Sequence, residues 1–494
     1  MALKAGSLLT TGNDSVLIER LQTGGPGTLN IPTEKIYELG NYESVATIRD
    51  VPDLTFSLES LDVTTDTEAM LADVSADTDG IDLATVRPLN VATQIKPGKK
   101  QLNPFDIVRS VAIPYLSLES ASYKFGLREN ARQTFSLRGD SIFYNPGATY
   151  IDEAVGTGIA GQAIITTHSA YPFTDGNGTR RVLAVVAGIK RLSFGPDYAL
   201  SYGIVTADAA IVTVTLTDAV PVTDTIRVVY ASPALRTYPQ SVHTLATLKP
   251  AAVRGKDIDV YIGGYDPADV AGSQAHKWTG VQDASVDWKV TLEKEEEFGN
   301  YYAVGQDFDV PTVSGAITIQ PRDPADLWKK LREITGLESV TAVIGANVAV
   351  PLPLDIIIKD GQNGGVTLKR FHIPDARFSV PGYNPRIQQN VTMSLEWESD
   401  TGAMTIYRDL SAPVVAAVAP STGVVTDIVS ISGINFVGVT AVTFGGVAAT
   451  TFTVDNHRHI TATVPAHAVG PVDVLVTTPK GTNAVGGQEF TYTA

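Results

Sequence analysis

At 494 residues with 44% hydrophobic side chains, the chain has material for about three or four globular domains and is no disordered polymer. It contains no cysteine, which excludes disulfide frameworks, thiolate metal sites and cysteine nucleophiles. A formal charge of −16 disfavours gripping nucleic-acid phosphates, no apolar run of roughly 18 residues offers a membrane span, and no secretory leader is expected after Met1-Ala2-Leu3-Lys4.

Short alternating runs rich in Val, Thr and Ala, set between turn residues, predict a mainly β chain. Val16–Leu21 reads as an opening strand, broken by Gly24-Gly25-Pro26-Gly27. Leu54, Phe56 and Leu58 alternate with Thr55, Ser57 and Glu59, giving one apolar and one polar face. A short helix is expected around Thr67–Val74, with Met70 and Leu71 as its apolar residues. The acids Asp62, Asp66, Glu68, Asp73, Asp77, Asp79 and Asp82 lack the glycine-punctuated spacing of a calcium loop and read as a solvated helix face and loop. Lys96, Lys99 and Lys100 enclose Pro97-Gly98, a basic group too small for nucleic acid and suited to an acidic neighbour. Phe125–Leu137 reads as a closing strand.

From about 148 to 240 a further β unit is predicted, with strands at Val182–Val186, Ile211–Leu216 and Thr225–Tyr230 and a turn at Asp175-Gly176-Asn177-Gly178. Gly156-Thr157-Gly158-Ile159-Ala160-Gly161 spells a dinucleotide fingerprint, but β-prone Ile164-Ile165-Thr166-Thr167 follows where a helix would have to start. A hinge is expected there, not a nucleotide site. Val286, Trp288, Val290 and Leu292 then alternate with polar residues as another half-buried strand, and Val313, Gly315 and Ile317 are expected on an apolar face. Asp323-Pro324 opens a helix carrying Leu327, Trp328, Leu331 and Ile334, which Gly336 ends.

One passage occurs twice. Glu38, Gly40, Asn41, Tyr42, Val45, Asp50, Val51 and Pro52 recur as Glu297, Gly299, Asn300, Tyr301, Val304, Asp309, Val310 and Pro311, an offset of 259. Ile113-Pro114, Tyr123, Asn130 and Asp140 return as Ile373-Pro374, Tyr383, Asn390 and Asp400 at 260, and the strand Thr134–Leu137 corresponds to Ser394–Trp397. The offset is too long for a solenoid, whose periods are roughly 20–50 residues, so it marks duplication of a whole unit. The expected division is 1–147 first copy, 148–240 insertion, 241–410 second copy and 411–494 a terminal module.

The terminal module holds four acids and two bases over 412–494. Its Pro420-Ser421-Thr422-Gly423, Ile431-Ser432-Gly433, Val442-Thr443-Phe444-Gly445-Gly446, Ile460–Pro465 and Phe490-Thr491-Tyr492 resemble, in set and order, the IPT/TIG family of immunoglobulin-like domains. His457, His459 and His467 lie close in sequence without a carboxylate pattern to complete a metal site, and read as a solvated loop. No cofactor or metal is expected, and with no acid/base pair, nucleophile elbow or P-loop the chain reads as non-enzymatic.

The doubled segment, through Leu39-Gly40-Asn41-Tyr42, the strand Asp53–Ser60, the helix after it, the closing strand and their second-copy partners, is similar to major tail tube proteins of long-tailed bacteriophages. The fold class implied is β-sandwich or barrel tube domains with one α-helix each, plus Ig-like sandwiches. That resemblance implies a virion structural protein assembled in the host cytoplasm, forming trimeric, pseudo-hexameric rings stacked into a channel. Its partners would be its own ring neighbours, with a tape-measure protein and DNA passing unspecifically, glycans meeting the Ig-like module and no membrane. Thr55, Ser57, Glu59, Thr318 and Gln320 are then the lumen-facing candidates. The loops around Lys96–Asp106, with Lys96, Lys99 and Lys100, and around Val350–Gly365 are the inter-ring candidates. The alternative is a secreted or cell-surface adhesin or S-layer-like protein built from Ig-like modules.

Overall fold

A computed structural model gives the fold. It describes residues 4–11, 14–17, 21–30, 33–36, 46–49, 52–61, 65–71, 80–85, 89–96, 109–127, 129–146, 150–175, 178–188, 190–205, 210–221, 225–232, 253, 257–266, 270–296, 302–320, 351–360, 366–379, 382–383, 392–407, 412–434, 436, 439–456, 459–478, 481–484 and 488–493. The described chain is mainly β.

The first unit contains β1 (Lys4–Thr11), β2 (Asp14–Leu17), β3 (Leu21–Asn30), β4 (Thr33–Ile36), β5 (Ala46–Arg49) and β6 (Asp53–Ser60). After these come the six-residue helix α1 (Asp66–Leu71), then β7 (Gly80–Asp82), β8 (Leu89–Lys96), β9 (Arg109–Gly126), β10 (Arg132–Gly139) and β11 (Phe143–Pro146). Strand β9 is 18 residues long and serves two sheet arms. Its first half pairs with β8 and β11, and its second half with β10, which continues through β6 to β3. Along β6 the alternation read from sequence holds, with Leu54, Phe56 and Leu58 at 0–1% exposure.

The insertion carries β12 (Tyr150–Thr157), β13 (Ala163–Ile165), β14 (Phe173–Asp175), β15 (Gly178–Arg180), β16 (Ala184–Ala187), β17 (Lys190–Arg191), β18 (Tyr198–Val205), β19 (Ala210–Leu216) and β20 (Thr225–Ser232). Two sheets, β12-β20-β16-β17 and β13-β19-β18, close on a core that includes Val185, Val212, Val214, Ile226, Val228 and Tyr230. Asp175 pairs with Gly178, so the predicted turn is a two-residue hairpin.

The second unit follows as β21 (Ile258–Ile262), α2 (Val270–Ser273), β22 (Lys277–Trp278), β23 (Val281–Lys289), β24 (Leu292–Glu295), β25 (Gly305–Phe308), β26 (Thr312–Ile319), β27 (Leu352–Asp360), β28 (Val366–Phe378), β29 (Gly382–Tyr383), β30 (Met393–Ser399) and β31 (Thr405–Tyr407). Most of its pairings reproduce those of the first unit, the exception being the step between Pro26 and Leu29, which β23 lacks. Leu21↔Ser60 and Thr23↔Glu59 recur as Val281↔Ile319 and Asp283↔Thr318, with the same bulge between them. Gln133↔Ser60 recurs as Met393↔Ile319. Gln133↔Tyr123 and Arg138↔Ser117 recur as Met393↔Tyr383 and Glu398↔Arg377, so the register step after Ser136 is repeated too. Leu89↔Leu116 and Val91↔Ile113 recur as Leu352↔Ala376 and Leu354↔Ile373. The hairpin pair Thr33↔Arg49 recurs as Leu292↔Phe308. A slip of one residue would turn every side chain to the opposite face, so shared registers and shared bulges mark two copies of one fold.

Four sequence expectations need correction. Gly24-Gly25-Pro26-Gly27 does not break the chain but lies inside β3, where a register irregularity falls between Pro26 and Leu29. Among the described residues β3 pairs only with β6, and such an edge strand tolerates a proline that has no N–H to donate. Val350–Gly365 is not a loop at its centre: β27 runs there, with Leu354, Ile356, Ile357 and Ile358 at 0–1% exposure. Phe125–Leu137 is two strands, the end of β9 and most of β10, joined by a turn in which Glu129 N–H reaches Gly126 O. Glu68 is not solvated; it is fully buried. The second helix, Asp323–Gly336, lies outside the described residues.

The last segment has β32 (Val414–Ala419), β33 (Thr422–Gly423), β34 (Ile428–Ile434), β35 (Ala441–Phe444), β36 (Val447–Ala448), β37 (Thr451–Asn456), β38 (His459–Thr463), β39 (Gly470–Thr478), β40 (Gly481–Thr482) and β41 (Glu489–Tyr492). Sheets β32-β34-β38-β37 and β33-β41-β39-β35-β36 enclose Ile431, Phe436, Phe444, Ile460, Val474 and Phe490, an Ig-like sandwich.

Candidate functional site

The two units meet in one sheet. The C-terminal half of β9 pairs antiparallel with β23, from Ser120↔Lys289 to Gly126↔Asp283, giving the continuous order β3-β6-β10-β9-β23-β26-β30. Val290 N–H extends the ladder to Glu119 O at 3.0 Å. One face is core: Phe135, Leu137, Tyr123, Val286, Trp288, Val313, Ile317, Leu395 and Trp397 belong to a single buried cluster drawn from both units.

The other face is polar. Glu59, Thr134, Ser122, Asp287, Ser314 and Glu398 stand opposite one another in succession across six strands, and Ser122 Oγ donates to Asp287 at 2.5 Å. Three of the lumen candidates sit on β6 of this face: Thr55 and Ser57 are exposed, and Glu59 is half-buried beside Arg132 at 3.0 Å. Thr318 is half-buried on β26 opposite Asp283 and Ser394. Gln320 lies just past that strand, its N–H on Gly280 O at 2.8 Å. Of the inter-ring candidates, Lys96 ends β8 opposite Lys4, within a strand and not in a loop, whereas Lys99 and Lys100 lie outside the described residues.

Three polar contacts lock the seam, and all were missed in the sequence. First, the β24–β25 hairpin of the second unit lies on the first: Lys294 Nζ donates to Asp53 Oδ1 at 2.8 Å, Pro52 O at 2.9 Å and Gly139 O at 3.2 Å. Asp53 also takes a two-pronged bond from Arg138, at 2.8 and 3.3 Å. Burial pushes the Asp53 carboxyl up, but the hydrogen bonds from Arg138 and Lys294 outweigh it and hold the group below its ordinary value. Second, the Lys369 ammonium on β28 meets Glu68 on α1, both at most 1% exposed. Lys369 also reaches Gln133 Oε1 at 3.1 Å and lies 5.3 Å from the Tyr123 ring centroid. Third, Asp140 accepts Ala303 N–H at 3.2 Å and both Arg191 bonds at 2.8 and 3.0 Å, tying the insertion to the two units together. Arg191 stacks 4.4 Å from the Tyr302 ring centroid.

A separate charged group belongs to the second unit alone. Buried Asp355 accepts Tyr265 N–H at 3.0 Å, faces His372 Nδ1 at 2.9 Å and lies 3.4 Å from Arg370. The corresponding first-unit residues are Ala92 and Ala112, so this group is no part of the shared fold. Nearby, burial pushes Asp259 up, and hydrogen bonds from Lys277 and Lys359 more than reverse it.

The glycine fingerprint is packed at Gly158, where a Cβ would fall 2.2 Å from Val220 Cγ2, and open at Gly161; β13 follows it in place of a helix, so the turn is no nucleotide cradle. His459 lies in β38, His467 stacks on Tyr492 at 5.2 Å, and His457 lies outside the described residues. Among the described residues no group of three His, Asp or Glu could hold a metal ion, and no helix is long and apolar enough to cross a membrane.

Residues 413–493 match the IPT/TIG domain family. A search of curated proteins found no match. Similar solved structures include the gamma-CGTase of Alkalophilic bacillus clarkii, with 19% identity over 29% of this chain and 24% of that one and a TM-score of 0.15. Another is SGBP-B from a xyloglucan utilization locus in Bacteroides uniformis, with 20% identity over 28% and 45% and a TM-score of 0.17. A third is SGBP-B from the mixed-linkage glucan utilization locus of Bacteroides ovatus, solved with a mixed-linkage heptasaccharide, with 16% identity over 42% and 60% and a TM-score of 0.15. The chain thus spans between 24% and 60% of these structures' lengths.

Proposed function

We propose that this chain is a non-enzymatic structural protein that assembles with copies of itself, edge strand to edge strand, into rings, and that stacked rings form the tail tube of a long-tailed phage virion. The observation that carries this is the β9·β23 seam. In each unit the sheet runs from β3 or β23 to the second half of β9 or its counterpart at about 380–386, of which β29 is described. Inside the chain, the end of the first unit already pairs with the start of the second. The start of the first unit and the end of the second are therefore complementary by the same geometry, and pairing them between chains removes both exposed edges. Three chains would supply six equivalent places around the bore.

The polar face suits a channel wall. It is rich in hydroxyls, with acids and bases interspersed along β9, β10, β23 and β30, so it offers DNA no continuous basic track. In this reading a tape-measure protein and then DNA occupy the bore, and assembly takes place in the host cytoplasm.

A second reading, a secreted or cell-surface adhesin or S-layer-like protein, draws its support from the IPT/TIG segment. The two proteins of glucan and xyloglucan loci suit it better than they suit a tube, although at TM-scores of 0.15 and 0.17 they carry no weight for function. Glycan contact by residues 411–494 is compatible with either. Negative-stain microscopy of purified protein separates the two: rings or tubes support the first, and dispersed particles that bind a glycan array support the second and overturn the first.

A further inference from the structure

We infer that Lys35, on the β4–β5 hairpin, is a docking residue that seats on a second copy of this chain, in the polar surface formed by Thr312, Glu398 and Asp400. The inference rests on the ring reading and names the contact that closes it. β4–β5 is the counterpart of β24–β25, in the same register, and Lys35 stands where Lys294 stands, 259 residues on. Lys294 is only 10% exposed, buried against the first unit with Asp53, Pro52 O and Gly139 O around its ammonium. Lys35 is exposed in the single chain.

The same correspondence finds the receiving surface at the other end of the molecule. Pro52, Asp53, Gly139 and Asp140 become Pro311, Thr312, Ser399 and Asp400. The two backbone carbonyls therefore recur, while the acid Asp53 is replaced by Thr312. At the neighbouring position the charge is reversed: Arg138, which holds Asp53 in the first unit, becomes Glu398. Thr312, Glu398 and Asp400 are all exposed, and Asp400 is held by Arg377 at 2.8 Å. An ammonium arriving where Lys294 would sit thus meets two carbonyl oxygens, with Glu398 supplying the carboxylate that Asp53 supplies internally. Because one acid stands in for another at a displaced position, the seam between chains is related to the internal seam without being identical to it.

The test uses the full chain, which has no cysteine to interfere. Lys35→Cys with Thr312→Cys, treated with a short bis-maleimide, is expected to give covalent dimers and closed trimers. Lys294→Cys with Asp53→Cys serves as the intrachain control. Lys35→Glu should raise the concentration needed for assembly at least tenfold without moving the monomer's melting temperature, Glu398→Lys should do the same, and the two together should restore assembly. Wild-type assembly with Lys35→Glu unaffected and no interchain cross-link overturns this contact and leaves the ring standing. Failure of the wild type itself to assemble overturns both.

Discussion

Lys369→Met should be among the most damaging single substitutions in the doubled core. The ammonium is 1% exposed and its partner Glu68 is 0% exposed, the two standing 301 positions apart in sequence. Methionine fills much of the same volume but leaves the Glu68 carboxylate buried without its counter-ion, and one oxygen of that carboxylate, Oε2, already has no hydrogen-bond partner. Breaking a buried pair from one side costs about 3–5 kcal/mol. At roughly 2–4 °C per kcal/mol for a unit of this scale, the melting temperature should fall by about 6–20 °C. Replacing both partners, Glu68→Leu with Lys369→Met, removes the stranded charge and should recover all but about 1 kcal/mol. Scanning calorimetry on the two variants and wild type reads this directly. A single substitution costing under about 1 kcal/mol, or a double one no better than the single, would refute the placement of α1 against the second unit.

Acid should loosen the same seam. Asp53 has its folded-state pKa depressed, so its contribution is present above the unfolded value of about 4 and is lost as pH falls through the folded one. The melting difference between wild type and Asp53→Asn should therefore be widest near pH 7 and shrink below about pH 4 in thermal scans. Gly315→Val should destabilise by about 1–3 kcal/mol or more, because its Cβ would lie 2.1 Å from Ser285 O and 2.7 Å from the Trp397 ring; urea titration measures it. Deleting 412–494 should leave assembly intact, as sedimentation would show, since that segment has its own buried core.

Much of this architecture is readable in the residues. The passage at Glu38–Pro52 and its recurrence at Glu297–Pro311 announce the repetition that the strand registers display, and alternation alone places Leu54, Phe56 and Leu58 inward. The IPT/TIG signature lies where the Ig-like sandwich stands. What was not legible depends on distant partners. Glu68 sits in an acidic run and looks solvated until Lys369 arrives from another unit. β27 looks like a loop because Pro351 and Pro353 flank its start and Asp355 interrupts its apolar run, yet Asp355 is accommodated by Arg370 and His372. β3 looks broken because glycine and proline punctuate most chains, but its ladder with β6 absorbs them through the register irregularity between Pro26 and Leu29. The lysine pair has its own signal in the sequence: Glu34-Lys35 and Glu293-Lys294 share the 259 offset, starting four residues ahead of Glu38 and Glu297.

Native mass spectrometry of the intact 52.4 kDa chain tests the central claim most directly. If one internal seam is the template for all the others, the smallest stable assembly is a closed trimer at three times the chain mass, and stacked multiples of it follow at higher concentration. A chain that remains monomeric at all concentrations, or that pairs only as a two-fold dimer, contradicts the account.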